Sequence, residues 1–175
     1  MPIVQNRIYT TADVETMFRA SEFRPTDYHS EAEAHAFTRH IGVTNAAMLL
    51  RGQAVRGDIV AITAFPDNQS AFLAGAMVLN SRVAQAALND LANGHTGMRA
   101  IITWATARPV VIRYVTASNQ MVKTMPCQWF RMVVDRSEVR PLGIHLQTFF
   151  GLLDPDARNQ ARVETREGRP AGMHL

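Results

Sequence analysis

The feature that most limits the folds open to this chain is a change of hydrophobic period close to residue 95. Up to Leu91 apolar residues recur at helical spacing, and from Ala100 they alternate. On the early side, Thr11–Ala20 reads as a helix with Val14, Met17 and Phe18 on one face. Asn68–Asn80 and Ser81–Leu91 read as alanine-rich helices carrying Phe72, Leu73, Met77, Val83 and Leu88. Between them Asp58–Phe65, rich in β-branched residues and bounded by Gly57 and Pro66, reads as a buried strand. On the late side five strands are expected, over Ala100–Thr106, Val110–Thr116, Met121–Met125, Trp129–Arg136 and Gly143–Phe150. Their turns fall at Arg108-Pro109, Ser118-Asn119, Pro126 and Arg140-Pro141. Helices followed by an antiparallel sheet make an α+β fold. Met1–Tyr9 is β-like but isolated, and Leu152–Leu175, polar and mixed in charge, reads as a solvated helix or a disordered end.

The 175 residues suit one domain with a sizeable core, and it must be held by packing alone, because Cys127 is the single cysteine. Flanked by Pro126 and Gln128 with no cationic cluster, Cys127 reads as a structural thiol. The net charge of +3 is carried by seventeen arginines and one lysine, Lys123. Arginine clamps phosphate in two-point fashion, yet a biased composition gives the same count, so basicity permits an RNA substrate without demonstrating one. No Cys/His pairing, HExxH or acidic triplet suggests a metal, and no cofactor motif is present. No run of eighteen apolar residues exists to span a membrane, and the start, MPIVQNRIYTT, does not read as a signal peptide.

The chemistry concentrates in HAFTRHIGVTNAAMLLR, His35 to Arg51. Ser30 and Glu33 form a capping box, so a helix is expected from Glu31 to about His40, with Gly42 as its left-handed terminator. Thr44 caps a second helix that Gly52 closes. His40 would then sit at a helix C-terminus, where the macrodipole favours imidazolium. His35 and His40 lie about 140° apart around a helix, which makes a shared metal awkward.

His35-x-x-x-Arg39-His40-Ile41-Gly42 followed by Leu49-Leu50-Arg51 resembles the amino-terminal signature of the bacterial RNase A-like toxin domains. These are the C-terminal toxin domains of contact-dependent growth-inhibition proteins and related secreted effectors. Thr63-Ala64-Phe65-Pro66-Asp67 before an alanine-rich helix resembles that family's central segment. Ile144-His145-Leu146-Gln147-Thr148-Phe149-Phe150 resembles its closing strand, which usually carries Thr-x-Tyr; here Phe150 replaces the tyrosine. The resemblance divides the chain into an extension (1–29), an RNase A-like domain without disulfides (30–151), its helices preceding a curved antiparallel sheet, and a polar tail (152–175). It implies a metal-independent ribonuclease toxin that works through a 2′,3′-cyclic phosphate in a competing cell. It also implies RNA as substrate and a cognate immunity protein as partner. Such a protein would be made in the cytoplasm and delivered into the target cell's cytoplasm.

Metal-free RNA cleavage needs a base for the 2′-hydroxyl, an acid for the leaving 5′-oxygen and cations around the phosphorane. Imidazole titrates near the working pH, and guanidinium stays charged and binds two oxygens. His40 and Arg51 fall where the family's signature histidine and arginine fall, as proton carrier and phosphorane clamp. Without the resemblance, a lone helical histidine is more often a satisfied structural residue. Thr148 is the third catalytic candidate, donating to a phosphate or base edge, or else simply a sheet former. By strict alternation it shares a face with Ile144, Leu146 and Phe150, and His145 points the other way unless a bulge intervenes. Phe150 cannot donate a proton but can stack on a base, which leaves the second proton carrier open. His35 and Arg39 are candidate substrate contacts, and Arg39 can instead pair with Glu31. Thr63 and Asp67 read as structural, and Trp104 and Trp129 as core or sheet surface. Two other functions remain open: an ADP-ribosyltransferase-type toxin, for which no late glutamate is expected on a strand, and a non-enzymatic binding or adaptor module.

Overall fold

In the computed structural model the described residues are 2–22, 36–54, 61–94, 98–116, 118, 121–154 and 156–165. The expected helix start at Ser30–Glu33 and the candidate His35 lie outside them. The elements run α1 (Thr11–Glu22), α2 (Ala36–His40), α3 (Asn45–Gln53), β1 (Ile62–Ala64), α4 (Asn68–Leu79) and α5 (Arg82–Asn93). Then come β2 (Met98–Val115), β3 (Lys123–Arg136), a 3-10 turn at Pro141–Gly143, β4 (Ile144–Gly151) and β5 (Gln160–Thr165). This is an α+β architecture with an antiparallel sheet that does not close on itself.

Short polar side chains set the helix starts. Thr44 accepts from the Ala47 amide, Asp67 from Ser70 and Ser81 from Ala84, each occupying a donor that the first turn leaves unpaired. Gly42 adopts a φ of 66° beyond α2, as a left-handed terminator should. Gly52 departs from expectation. It lies inside α3, where an added Cβ would come 2.9 Å from a Val115 methyl, so it serves close packing and not helix termination.

The sheet differs from the five expected strands in a consistent way. Arg108-Pro109 is no turn: Ala105 and Val110 flank a register break inside one long strand, β2. Pro126 is no turn either, since it pairs with Val111 within β3. Both prolines are tolerated for the same reason. Pro109 sits in a bulge, and Pro126 lies beyond Phe130↔Gly151, where β4 ends and β3 becomes an edge. β2 pairs with β3 along its length, with β1 at its far end and with β5 at its near end. The segment read as a solvated or disordered tail therefore supplies a strand, Gln160–Thr165, and Glu164 lies on it. Met1–Tyr9 contributes no strand among the described residues; Ile3 and Tyr9 are buried, and Asn80 bonds both the Tyr9 amide and carbonyl.

One face of the sheet packs on α1, α4 and α5. Its centre is an aromatic cluster in which Phe149 lies 5.1 Å from Phe65, 5.7 Å from Phe130 and 6.1 Å from Phe18, ring centre to ring centre. All four rings are fully buried. Such pairs add about 0.5–1.5 kcal/mol each beyond their area burial.

Helix α4 approaches α1 closely because Gly75 has no side chain: an added Cβ would come 2.7 Å from Val14 Cγ1. Gly75→Ala gains about 1 kcal/mol of helix propensity, but overpacking a rigid β-branched neighbour costs about 1–3 kcal/mol. Urea denaturation is expected to show net destabilisation; a stabilised variant would mean the two helices separate easily.

Candidate functional site

Strand β4 decides which side chains leave the core. Its register with β3 shifts between Val133 and Val134: Val134 faces Leu146, and Val133 faces Thr148. Gln147 is the extra residue of a bulge. Strict alternation thus fails at this point. Ile144, Leu146 and Phe149 take the core side, while His145, Thr148 and Phe150 align with Asp135, Val133 and Arg131 on the opposite side. The expected grouping of Thr148 with Ile144 and Leu146 is corrected by that one inserted residue. The grouping of Thr148 with Phe150 stands, and His145 joins them.

His40 closes α2 and comes to this face. Its ring stacks on Phe150 at 5.3 Å between centres and 26° between planes. Its backbone carbonyl accepts from the Phe65 amide at 2.7 Å. Nδ1 lies 2.9 Å from the Thr63 carbonyl, and since a carbonyl only accepts, Nδ1 carries the proton. In the neutral ring Nε2 is then the basic nitrogen. Thr63 has a second function, donating its hydroxyl to the Gly151 carbonyl at 2.8 Å. A single buried threonine on β1 therefore links the His40 ring to the end of β4, one residue from Phe150. It was expected to be structural; its place between the two site segments was not legible from spacing.

Arg51 reaches back from α3 and donates to the Arg39 carbonyl at 2.6 Å, so its guanidinium is held beside the end of α2. Partial burial, and then the Arg39 charge, hold its pKa below the usual arginine range. A desolvated cation with a like-charged neighbour attracts an anion more strongly than a solvated one. Arg39 itself is exposed. Thr148 is 8% exposed, and its Oγ1 is buried without a hydrogen-bond partner among the described residues. A buried hydroxyl left so costs about 1–3 kcal/mol. The structure thus gathers His40, Phe150 and Thr148 on one face and fixes Arg51 and Arg39 at the adjoining helix end.

Two further groupings escaped the sequence because they depend on strand register. Across the same face Arg99 pairs with Asp135 at 2.9 Å, and Asp135 stands opposite the buried His145. Beside Phe150 a groove of about 200 Å³ holds Arg131 and Arg162. Cys127 is buried, its thiol directed at the Trp129 and Leu152 carbonyls and pushed up in pKa by burial. Trp104 packs half-buried against the core. Among the described residues no three His, Cys, Asp or Glu side chains are placed to share a metal, and no single helix is long and apolar enough to cross a membrane.

No family model matches the chain, and no curated protein does. Its fold has a solved counterpart. One chain in the crystal structure of a CdiA-CT/CdiI complex from Y. kristensenii 33638 superposes on 68% of this chain and 99% of its own length. The TM-score is 0.51 and the sequence identity 21%. At that identity the likeness is one of fold.

Thr63→Val keeps the shape of the side chain and removes the donor to Gly151. Loss of about 1 kcal/mol in urea denaturation is expected, with the His40 imidazole resonances shifted by NMR. Unmoved resonances would show that this tether does not hold the ring.

Proposed function

We propose that this chain is a metal-independent ribonuclease of the RNase A-like toxin class, used in competition between bacteria. The observation that carries the reading is the convergence of His40, Phe150 and the Thr148 hydroxyl, which has no hydrogen-bond partner among the described residues, on the face away from the core. Arg51 is fixed at the adjoining helix end. In this mechanism the 2′-hydroxyl attacks the adjacent phosphorus while His40 Nε2 exchanges the proton at one side of the reaction. Arg51 and the Thr148 hydroxyl hold the phosphorane oxygens. The P–O5′ bond breaks, leaving a 2′,3′-cyclic phosphate and a 5′-hydroxyl; of the two protons moved, one off O2′ and one onto O5′, His40 handles one and solvent water the other. Phe150 carries no proton and stacks on a base.

The fold shared with a chain of a CdiA-CT/CdiI complex supports a toxin of contact-dependent growth inhibition, with a cognate immunity protein as partner and delivery into a target cell. The basic surface that attracts RNA would attract an acidic inhibitor by the same steering. An ADP-ribosyltransferase reading gains one point, since Glu164 lies on a strand after all, but its carboxylate is ion-paired to Arg162 at 3.2 Å. Dependence on NAD separates the two.

His40→Ala is expected to lower cleavage of total RNA in chelator by about 10²–10⁴-fold, the range of a lost general acid–base, while circular dichroism and the melting curve persist. Full cleavage by the folded variant would remove His40 from the mechanism.

A further inference from the structure

We propose that the groove beside Phe150 is a second nucleotide subsite, taking one base of single-stranded RNA on its floor and the attached phosphate on Arg131 and Arg162. The proposal rests on the ribonuclease reading and extends it beyond the reacting phosphate.

The groove belongs to the sheet face already described. Cross-strand register places Ile101 beside Val133 and Arg162, and Thr103 beside Arg131 and Gln160, with Phe150 next to Arg131. Its floor of Ile101, Val133 and Phe150 is apolar, and its walls carry two guanidiniums with no carboxylate among the lining side chains. A ligand that matches both must present one flat apolar face and one anion. A nucleoside monophosphate unit does so, whereas inorganic phosphate leaves the floor empty and an aliphatic acid has no ring. A duplex keeps its bases stacked inward and would offer no face to the floor.

The cations are arranged for an anion. Arg131 Nε donates to the hydroxyl of Thr103, which is buried at 2% exposure, and this bond orients the guanidinium. Arg131 makes no ion pair among the described residues. Arg162 is paired only along its own strand with Glu164, through a side chain 70% exposed. The Glu164 side chain is only 15% exposed, but the guanidinium it holds lies in solvent, where a phosphate can reach it. Phe150 lines the groove and also stacks on His40, so a strand crossing this ring runs from the proton carrier into the groove. The buried Thr148 hydroxyl, without a partner among the described residues, lies on the same face of β4 as Phe150, across from Val133. β5 supplies Arg162 and Gln160, which gives the strand after residue 152 a part in binding.

The test is calorimetric titration of the full chain, with His40 intact and with His40→Ala, using uridine 3′-monophosphate, uridine and inorganic phosphate, each background alone and combined with Arg131→Gln, Arg162→Gln or both. Arg131→Gln keeps a donor for Thr103, and Arg162 is exposed, so at least one variant remains folded. The expected result is nucleotide binding that survives His40→Ala and exceeds that of either fragment. It should weaken by about tenfold or more in the double variant, which loses both charge-assisted contacts. Unchanged nucleotide binding in the double variant overturns the subsite. So does binding that needs His40 and ignores both arginines. If the wild-type chain leaves RNA intact while arginine-dependent binding persists, the subsite stands and the ribonuclease reading falls.

Discussion

Everything outside the core takes its direction from the burial of Phe149. Its ring meets Phe65, Phe130 and Phe18, and its neighbour Phe150 is left on the other face. Burying a phenylalanine side chain stabilises by about 1.5–3 kcal/mol, and a one-residue slip would exchange Phe149 for Phe150 only by turning every other side chain of the strand over as well. With Phe149 inward, Phe150 and Thr148 must face the other way. The bulge at Gln147 then reconciles this end of the strand with Ile144 and Leu146, which are also buried, and turns His145 to the site side.

The second organising contact is polar. Thr63 accepts from His40 through its carbonyl and donates to Gly151 through its hydroxyl, so β1 ties the end of α2 to the end of β4. His40 stands in the last turn of α2. The Phe65 amide, the Thr63 carbonyl and the Arg51 guanidinium hold its final turn from three sides. The same contacts that stabilise this turn fix the tautomer and plane of the His40 ring. Orientation of this kind is what a proton-transfer group requires before substrate arrives.

Local chemistry was legible in the sequence, and pairing was not. The caps at Thr44, Asp67 and Ser81, the terminator Gly42 and helices α1, α4 and α5 follow from side chains within four residues of each other. The expected turns at Pro109 and Pro126 failed because a proline reports only that its amide is not needed. It does not say whether the chain turns, bulges or lies at an edge. β5 was missed because its polar residues line an exposed face and draw their order from β2. His40, Arg51, Thr148 and Phe150 could be nominated from a motif. Arg131, Arg162 and the turned His145 could not, since they become neighbours only once the register across three strands is known. The alternatives raised for the chain's activity turn on chemistry, not fold: one sheet can carry different sites.

The central claim is that an imidazole, a guanidinium and a strand hydroxyl act together on one phosphodiester without a metal. The most direct measurement is the chemistry of the new RNA ends made by the purified wild-type chain in excess chelator. The account predicts cleavage leaving 2′,3′-cyclic phosphates opposite 5′-hydroxyls. Intact RNA, or fragments bearing 5′-phosphates, would contradict it.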